Sequence, residues 1–204
     1  MSATPNPVCP GSDSQLGATI GGNPTYCVPS LSNGCSFPDV ITQVTVAGIV
    51  RGTGVAVGSC DNLSGSNGYS NFATPTGALV AGSSGNSYSV STGGDVEGAA
   101  LWIDFDQNGT FDNPAELIFN SYAATNPATY TGTFTVPSGA VNGPTRLRVR
   151  CTYAGAPGTS ACTGTQTTYG ETEDYTVMIS GGACPAGLTY SWSPATYLDN
   201  TAIC

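Results

Sequence analysis

The apolar residues of this chain fall in short runs that alternate with polar ones, and Gly, Pro and Asn sit between the runs. That pattern constrains the fold more than any other feature. Side chains on a strand point to opposite faces at every step, so a period of two builds a surface with one apolar face. "TRLRVRCTY" (145–153) is the cleanest instance: Leu147, Val149 and Cys151 point one way, and Arg146, Arg148 and Arg150 the other. In "GAALWIDF" (98–105), Leu101, Ile103 and Phe105 oppose Trp102, Asp104 and Asp106. Strands are also expected at 39–50, where Val40, Val44 and Val46 share a face, and at 84–94, 116–122, 128–137 and 173–180. No segment carries a 3.6-residue period over three turns. The expected fold is therefore all-β, an antiparallel β-sandwich of jelly-roll or Ig-like type spanning about 25–180. With 28 Gly and 14 Pro among 204 residues, turns are plentiful, and 39% hydrophobic residues suffice for a core. Residues 1–24 read as a linker or lone strand. Residues 181–204 are too few to fold alone and are expected to dock elsewhere.

Charge excludes several functions. The chain has no His and no Lys; its positive charges are Arg51, Arg146, Arg148 and Arg150, against thirteen acids, for a net charge of −9. Such a chain cannot neutralise many phosphates, so neither nucleic acid nor an anionic membrane surface is an expected partner. No run approaches the ~20 apolar residues of a membrane span. Without His or Lys, Ser-His-Asp and Cys-His constellations, Schiff bases and P-loops are absent. The acids of "GETEDY", Glu171, Glu173 and Asp174, leave a carboxylate pair for glycoside hydrolysis as the one catalytic option. Against it stands a structural role in which these acids pair with Arg146, Arg148 and Arg150 on a neighbouring strand. A stripe binding carboxylate or sulfate is the other reading of the three Arg. We expect no enzymatic activity.

Eight Cys, at 9, 27, 35, 60, 151, 162, 184 and 204, form no C-x-x-C pair and have no His beside them. That argues against zinc and for disulfides in an oxidising, extracellular compartment. The most local pairing is Cys151 with Cys162, stapling the base of a hairpin loop. The opening "MSATPNPVCPG" lacks the basic start and apolar run of a signal peptide, which reads as a mature or trimmed piece of a secreted protein.

The densest chemistry lies in "DFDQNGTFDNPAE" (104–116). Counting from Asp104, Asp106 stands at position 3, Asn108 at 5, Gly109 at 6, Thr110 at 7 and Asp112 at 9. This matches the calcium-loop pattern D-x-[DN]-x-[DN]-G, in which alternate residues turn oxygens inward and Gly permits the sharp bend. The expected ligands for Ca2+ are Asp104, Asp106, Asn108, the Thr110 carbonyl, Asp112 and Glu116. Position 12, where an EF-hand carries its bidentate Glu, is Ala115, and a strand rather than a helix enters the loop. An acidic turn without metal, held by Asx-type hydrogen bonds, is the alternative.

"GETEDYTVMI" resembles the signature of the GEVED domain, with Thr172 where the family name has Val. "LWIDFDQNGTFDNPAE", "VPSGAVNGPTRLRVR" and "PTYCVPS" (24–30) resemble the family's calcium-type loop, the segment preceding the signature, and its opening. The resemblance covers about 25–180. It implies a non-catalytic β-sandwich from large secreted proteins of Bacteroidetes-type bacteria, found beside metallopeptidase domains or in adhesin-like arrays. The ends, "ATPNPVCPGSDSQL" and "LTYSWSPATYLDN", resemble pieces of a PKD/Ig-like repeat. They imply an inserted domain, a segment of a tandem array, or head-to-tail self-association through the terminal segments. The function expected is an extracellular structural or adhesion module, calcium-stabilised, in a cell-surface protein or a filament. The competing expectation is an accessory carbohydrate- or protein-binding module of a secreted hydrolase, which exposed Tyr69, Tyr122 or Trp102 on a concave face would favour.

Overall fold

The computed structural model describes residues 24–34, 39–52, 68–163 and 168–184. The terminal segments that resemble PKD/Ig-like pieces lie outside them almost entirely. Among these described residues, nine strands form two sheets: β1 (Val40–Val46), β2 (Ile49–Gly52), β3 (Tyr69–Val80), β4 (Asn86–Gly93), β5 (Glu97–Ile103), β6 (Leu117–Tyr122), β7 (Thr129–Phe134), β8 (Gly143–Tyr153) and β9 (Gly170–Ser180). One sheet has the order β2-β1-β4-β7 and the other β3-β9-β8-β5-β6. The expected sandwich is the observed fold. Its one departure from antiparallel pairing between strands is β3 alongside β9.

The period-two pattern explains the core. Leu147, Val149 and Cys151 of β8, Ala99, Leu101 and Ile103 of β5, and Tyr175, Val177 and Ile179 of β9 face Ile41, Val44, Val46, Val90, Tyr130 and Phe134 from the opposite sheet. Each large apolar side chain so buried contributes about 1.5–3 kcal/mol relative to exposure. The expected strand over 39–50 is instead a hairpin. Ala47 and Gly48 both have positive φ, 54° and 81°, the backbone of a two-residue turn that matches strand twist. A bulge between Ile41 and Gln43 also shifts the alternation, so Ile41 rather than Val40 joins the central cluster. Strand β3 carries no clean alternation because Pro75 and Gly77 interrupt it. It takes the sheet edge, where Pro is tolerated, with its register shift between Phe72 and Gly77.

The outer face of the larger sheet is also covered, so every residue of β5 is buried. Trp102 packs there with Ala100 and Ala161, flanked by Phe111 and Leu117. Two straps cross this face. Arg148, itself fully buried, donates from Nη2 to the Cys27 carbonyl at 2.8 Å and from Nη1 to the Ala161 carbonyl at 3.1 Å. A Cys27–Cys162 disulfide, closing a sequence separation of 135 residues, joins the straps. The expected Cys151–Cys162 bridge is therefore wrong, and the sheet shows why. Cys151 points into the core, a free and buried thiol, whereas the loop bearing Cys162 folds over the opposite, Arg-bearing face.

Candidate functional site

The acidic loop connects β5 to β6. Its base is set by the ladder: Ile103 donates its N–H to the Glu116 carbonyl at 3.0 Å, and Asp104 its N–H to the Arg146 carbonyl at 3.1 Å. This closure carries Asp104 and Glu116, twelve residues apart, to one place. Gly109, with φ of 86°, makes the turn that the pattern requires; a Cβ there would also stand 3.1 Å from Pro24 on the first strap.

Asp104, Asp106 and Glu116 each present a carboxylate oxygen, and the three oxygens lie within 4.8 Å of one another. Oxygens sharing one calcium ion at ~2.4 Å stand up to about 5 Å apart, so the spacing fits. Asp104 and Glu116 are buried and Asp106 is exposed. The remaining expected ligands are placed differently. Asn108 turns its Nδ2 toward Asp106 Oδ2 (3.0 Å) and Asp112 Oδ2 (3.3 Å), and its Oδ1 accepts the Thr110 N–H at 2.7 Å. Asp112 Oδ1 accepts the Thr110 hydroxyl at 3.2 Å. Thus Asp104, Asp106 and Glu116 converge, while Asn108, Thr110 and Asp112 form an outer ring of Asx-type contacts.

The electrostatics of the converging group are strained. Glu116 Oε1 accepts the Phe105 N–H at 2.6 Å and Oε2 the Asp112 N–H at 2.8 Å. Asp104 Oδ2 accepts the Tyr26 hydroxyl at 2.7 Å and the Gly109 N–H at 3.0 Å. Even so, burial pushes the Glu116 carboxyl up to about 7, with the backbone donors opposing and Asp104 adding to the rise. Burial likewise raises Asp104, and the Tyr26 hydrogen bond opposes it. No Arg pairs with Asp104, Asp106 or Glu116 among the described residues. A divalent cation is the chemistry that this donor set fits: hard oxygens, net negative charge and no neutralising partner.

The second acidic constellation behaves differently. Asp174 Oδ1 accepts from Arg148 Nε at 2.6 Å, and Oδ2 accepts from Arg148 Nη2 and Arg146 Nη1, each at 2.8 Å. The Tyr69 hydroxyl adds a fourth donor at 2.8 Å. Here the expected ion pairing is present. It does not extend to the other partners. Arg150 lies opposite Thr172, while Glu173 and Glu171 lie opposite Val149 and Cys151 on the inner face. Glu171 Oε2 accepts the Ile41 N–H at 2.9 Å, and Glu173 accepts the Tyr175 hydroxyl. The reason is parity: positions 171 and 173 share one face of a strand, and 174 takes the other. The sequence carried that signal.

Tyr26 and Tyr69, each donating to a buried Asp from a different part of the chain, were not marked as polar partners in the sequence. A lone Tyr gives no sign of which acid it will reach. Of the three aromatics considered for a glycan platform, Trp102 is fully buried, Tyr69 is half-buried and bonded to Asp174, and Tyr122 is exposed. A cavity of about 270 Å³ adjoins the loop, lined by Phe105, Asp106, Asp112, Glu116, Pro137 and Ala140 among others.

Residues 98–178 match the family model of the GEVED domain. The matched span runs from β5 to β9 and so contains both acidic constellations. No curated protein matches the chain.

Proposed function

Taking as premise that the chain contains a GEVED domain over residues 98–178, we propose that it is a non-catalytic extracellular structural or adhesion module stabilised by calcium. The module would serve in a large surface protein or as a subunit of a filament. The observation that carries this reading is the convergence of Asp104, Asp106 and Glu116 within 4.8 Å, two of them buried and none paired with an Arg among the described residues. Calcium held there locks the β5–β6 connection to the sheet that Asp104 and Glu116 terminate, and through the Tyr26 hydroxyl it also fixes the first strap. The disulfide between the straps supports an oxidising compartment. Burial of Glu171, Glu173 and Asp174, each 1% exposed or less, favours structural over hydrolytic use of these acids.

Thermal unfolding with calcium and with a chelator tests the reading. A ligand that binds only the folded state must raise stability, and at 100 times its Kd by about 2.7 kcal/mol, which for a chain of this size is about 5–10 °C in Tm. An unchanged Tm at millimolar calcium would sink it. The filament version predicts polymers in negative-stain images, abolished by deleting 184–204; monodisperse monomers from the intact chain would remove it.

A further inference from the structure

The outer face of the larger sheet buries a cation that meets no carboxylate among the described residues. Arg150 is 2% exposed. Its Nη1 donates to the Ser160 carbonyl at 3.0 Å, but its buried Nε meets no acceptor among the described residues. The acids of the neighbouring strand are committed elsewhere. Asp174 is held by Arg148, Arg146 and Tyr69. Glu171 and Glu173 lie on the opposite face of the sheet. Beside Arg150, Arg148 adds positive charge.

Two more donors on the same face share this condition. The Thr172 hydroxyl and the Trp102 indole N–H are both buried with no hydrogen-bond partner among the described residues. Thr172 stands directly opposite Arg150 on β9, and Trp102 lies diagonally from Arg150 on β5, one step past its direct partner Ala100. Cross-strand neighbours on one face are about 5 Å apart at Cβ and diagonal ones ~7–8 Å, so Thr172 and Trp102, on the two strands that flank β8, both border Arg150 on the covered face. Thr172 is also where the chain departs from the signature string: Val in its place would offer no hydroxyl.

A buried guanidinium without a counter-charge is costly, and each unmet buried donor adds to the cost. Three in one patch are better explained by a ligand than by chance. We propose that Arg150, Thr172 and Trp102 bind one small monovalent anion, chloride or an ion of that kind, beneath the strap that carries Ser160 and Cys162. The charge matches, since one uncompensated guanidinium balances one negative charge. The surroundings match too: Ala100, Ala161 and Trp102 are buried and pack together on this face, which suits a small ion rather than a hydrated one. Sulfate or phosphate would bring a second charge with nothing left to pair it. Burial first, and Arg148 second, bring the Arg150 pKa down to about 10, which leaves the guanidinium charged at neutral pH and in need of a partner. Such an ion would tie β5, β8 and β9 to the second strap, independently of any cation in the acidic loop.

The test uses the whole chain with a chelator present throughout, so that the acidic loop contributes nothing. Tm is measured in sodium chloride, sodium bromide and sodium isethionate at equal ionic strength; isethionate carries the same charge on a much bulkier organic anion. Chloride and bromide are expected to raise Tm over isethionate by about 5–10 °C at 100 times the midpoint concentration. Thr172→Val, which keeps the side-chain shape, is expected to need about tenfold more chloride for the same midpoint. Bromide-soaked crystals should show an anomalous peak within hydrogen-bond distance of Arg150 Nε. Equal Tm in all three salts would mean that screening or water suffices and would overturn the proposal. So would an unchanged midpoint in Thr172→Val, or the absence of a bromide peak at Arg150.

Discussion

Asp174, on β9, and Glu116, in the loop just before β6, are both buried carboxylates, and the protein treats them oppositely. Asp174 collects four donors, three of them from two guanidinium groups, so its charge is neutralised from within the chain. Glu116 collects backbone N–H groups and stands beside Asp104 and Asp106, so its hydrogen bonds are met but its charge is not. Hydrogen bonding and charge neutralisation are separate requirements of burial. A site that meets the first and leaves the second open is arranged for something from outside; one that meets both is finished architecture.

Removing the charge from each should therefore produce different results. Asp174→Asn leaves Arg148 buried with no carboxylate and is expected to lose about 3–5 kcal/mol in denaturant unfolding, with calcium or with chelator alike. A loss below 1 kcal/mol would show that the pair is not the keystone of the outer face. Glu116→Gln is smaller in effect and depends on conditions. In chelator above pH 7 the variant should lie close to wild type, because a buried like charge has gone while one backbone N–H has lost its acceptor. In saturating calcium it should be less stable, because a ligand has gone. Parallel curves in the two conditions would place Glu116 with Asp174 as ordinary architecture.

Parity decides how much of this contrast was legible. The alternation in 145–153 placed Leu147, Val149 and Cys151 in the core and the Arg residues outside, and the strand over 98–105 was equally plain. The cluster of Asp104 with Asp106 was readable because a calcium-type loop is local in sequence. Its completion by Glu116 depended on where β6 begins, and the choice of Glu116 over Asp112 was settled by side-chain contacts within the loop. What escaped was non-local or broken in period. The straps over Arg148 rest on a disulfide spanning 135 residues, which spacing cannot choose among many pairings. β3 hid behind Pro75 and Gly77. The hairpin of β1 and β2 hid because Ala47-Gly48 is a weaker turn signal than Asn-Gly.

The inner face supplies the subtlest test of the comparison, because Glu97 is a third buried carboxylate with a third solution. Its Oε1 accepts the Asp95 N–H at 2.8 Å, and no guanidinium is paired with it among the described residues. Burial raises it to about 7, with Asp39 and Asp95 adding to the rise against the Asp95 N–H and Thr92; Asp39 is itself raised by burial. A carboxyl with a raised folded-state pKa binds its proton more tightly folded than unfolded. Its contribution is fully present below about pH 4.5, the usual Glu range, and is lost as pH rises through about 7. Neutralisation here comes from a proton, which neither an Arg nor a metal supplies. In the Glu116→Gln background with chelator and constant chloride, Tm should fall between pH 5 and pH 8. Adding Glu97→Gln, which keeps the side chain neutral at every pH, should flatten that fall. A slope unchanged by Glu97→Gln would assign the pH dependence to the net charge of −9 acting over the whole surface.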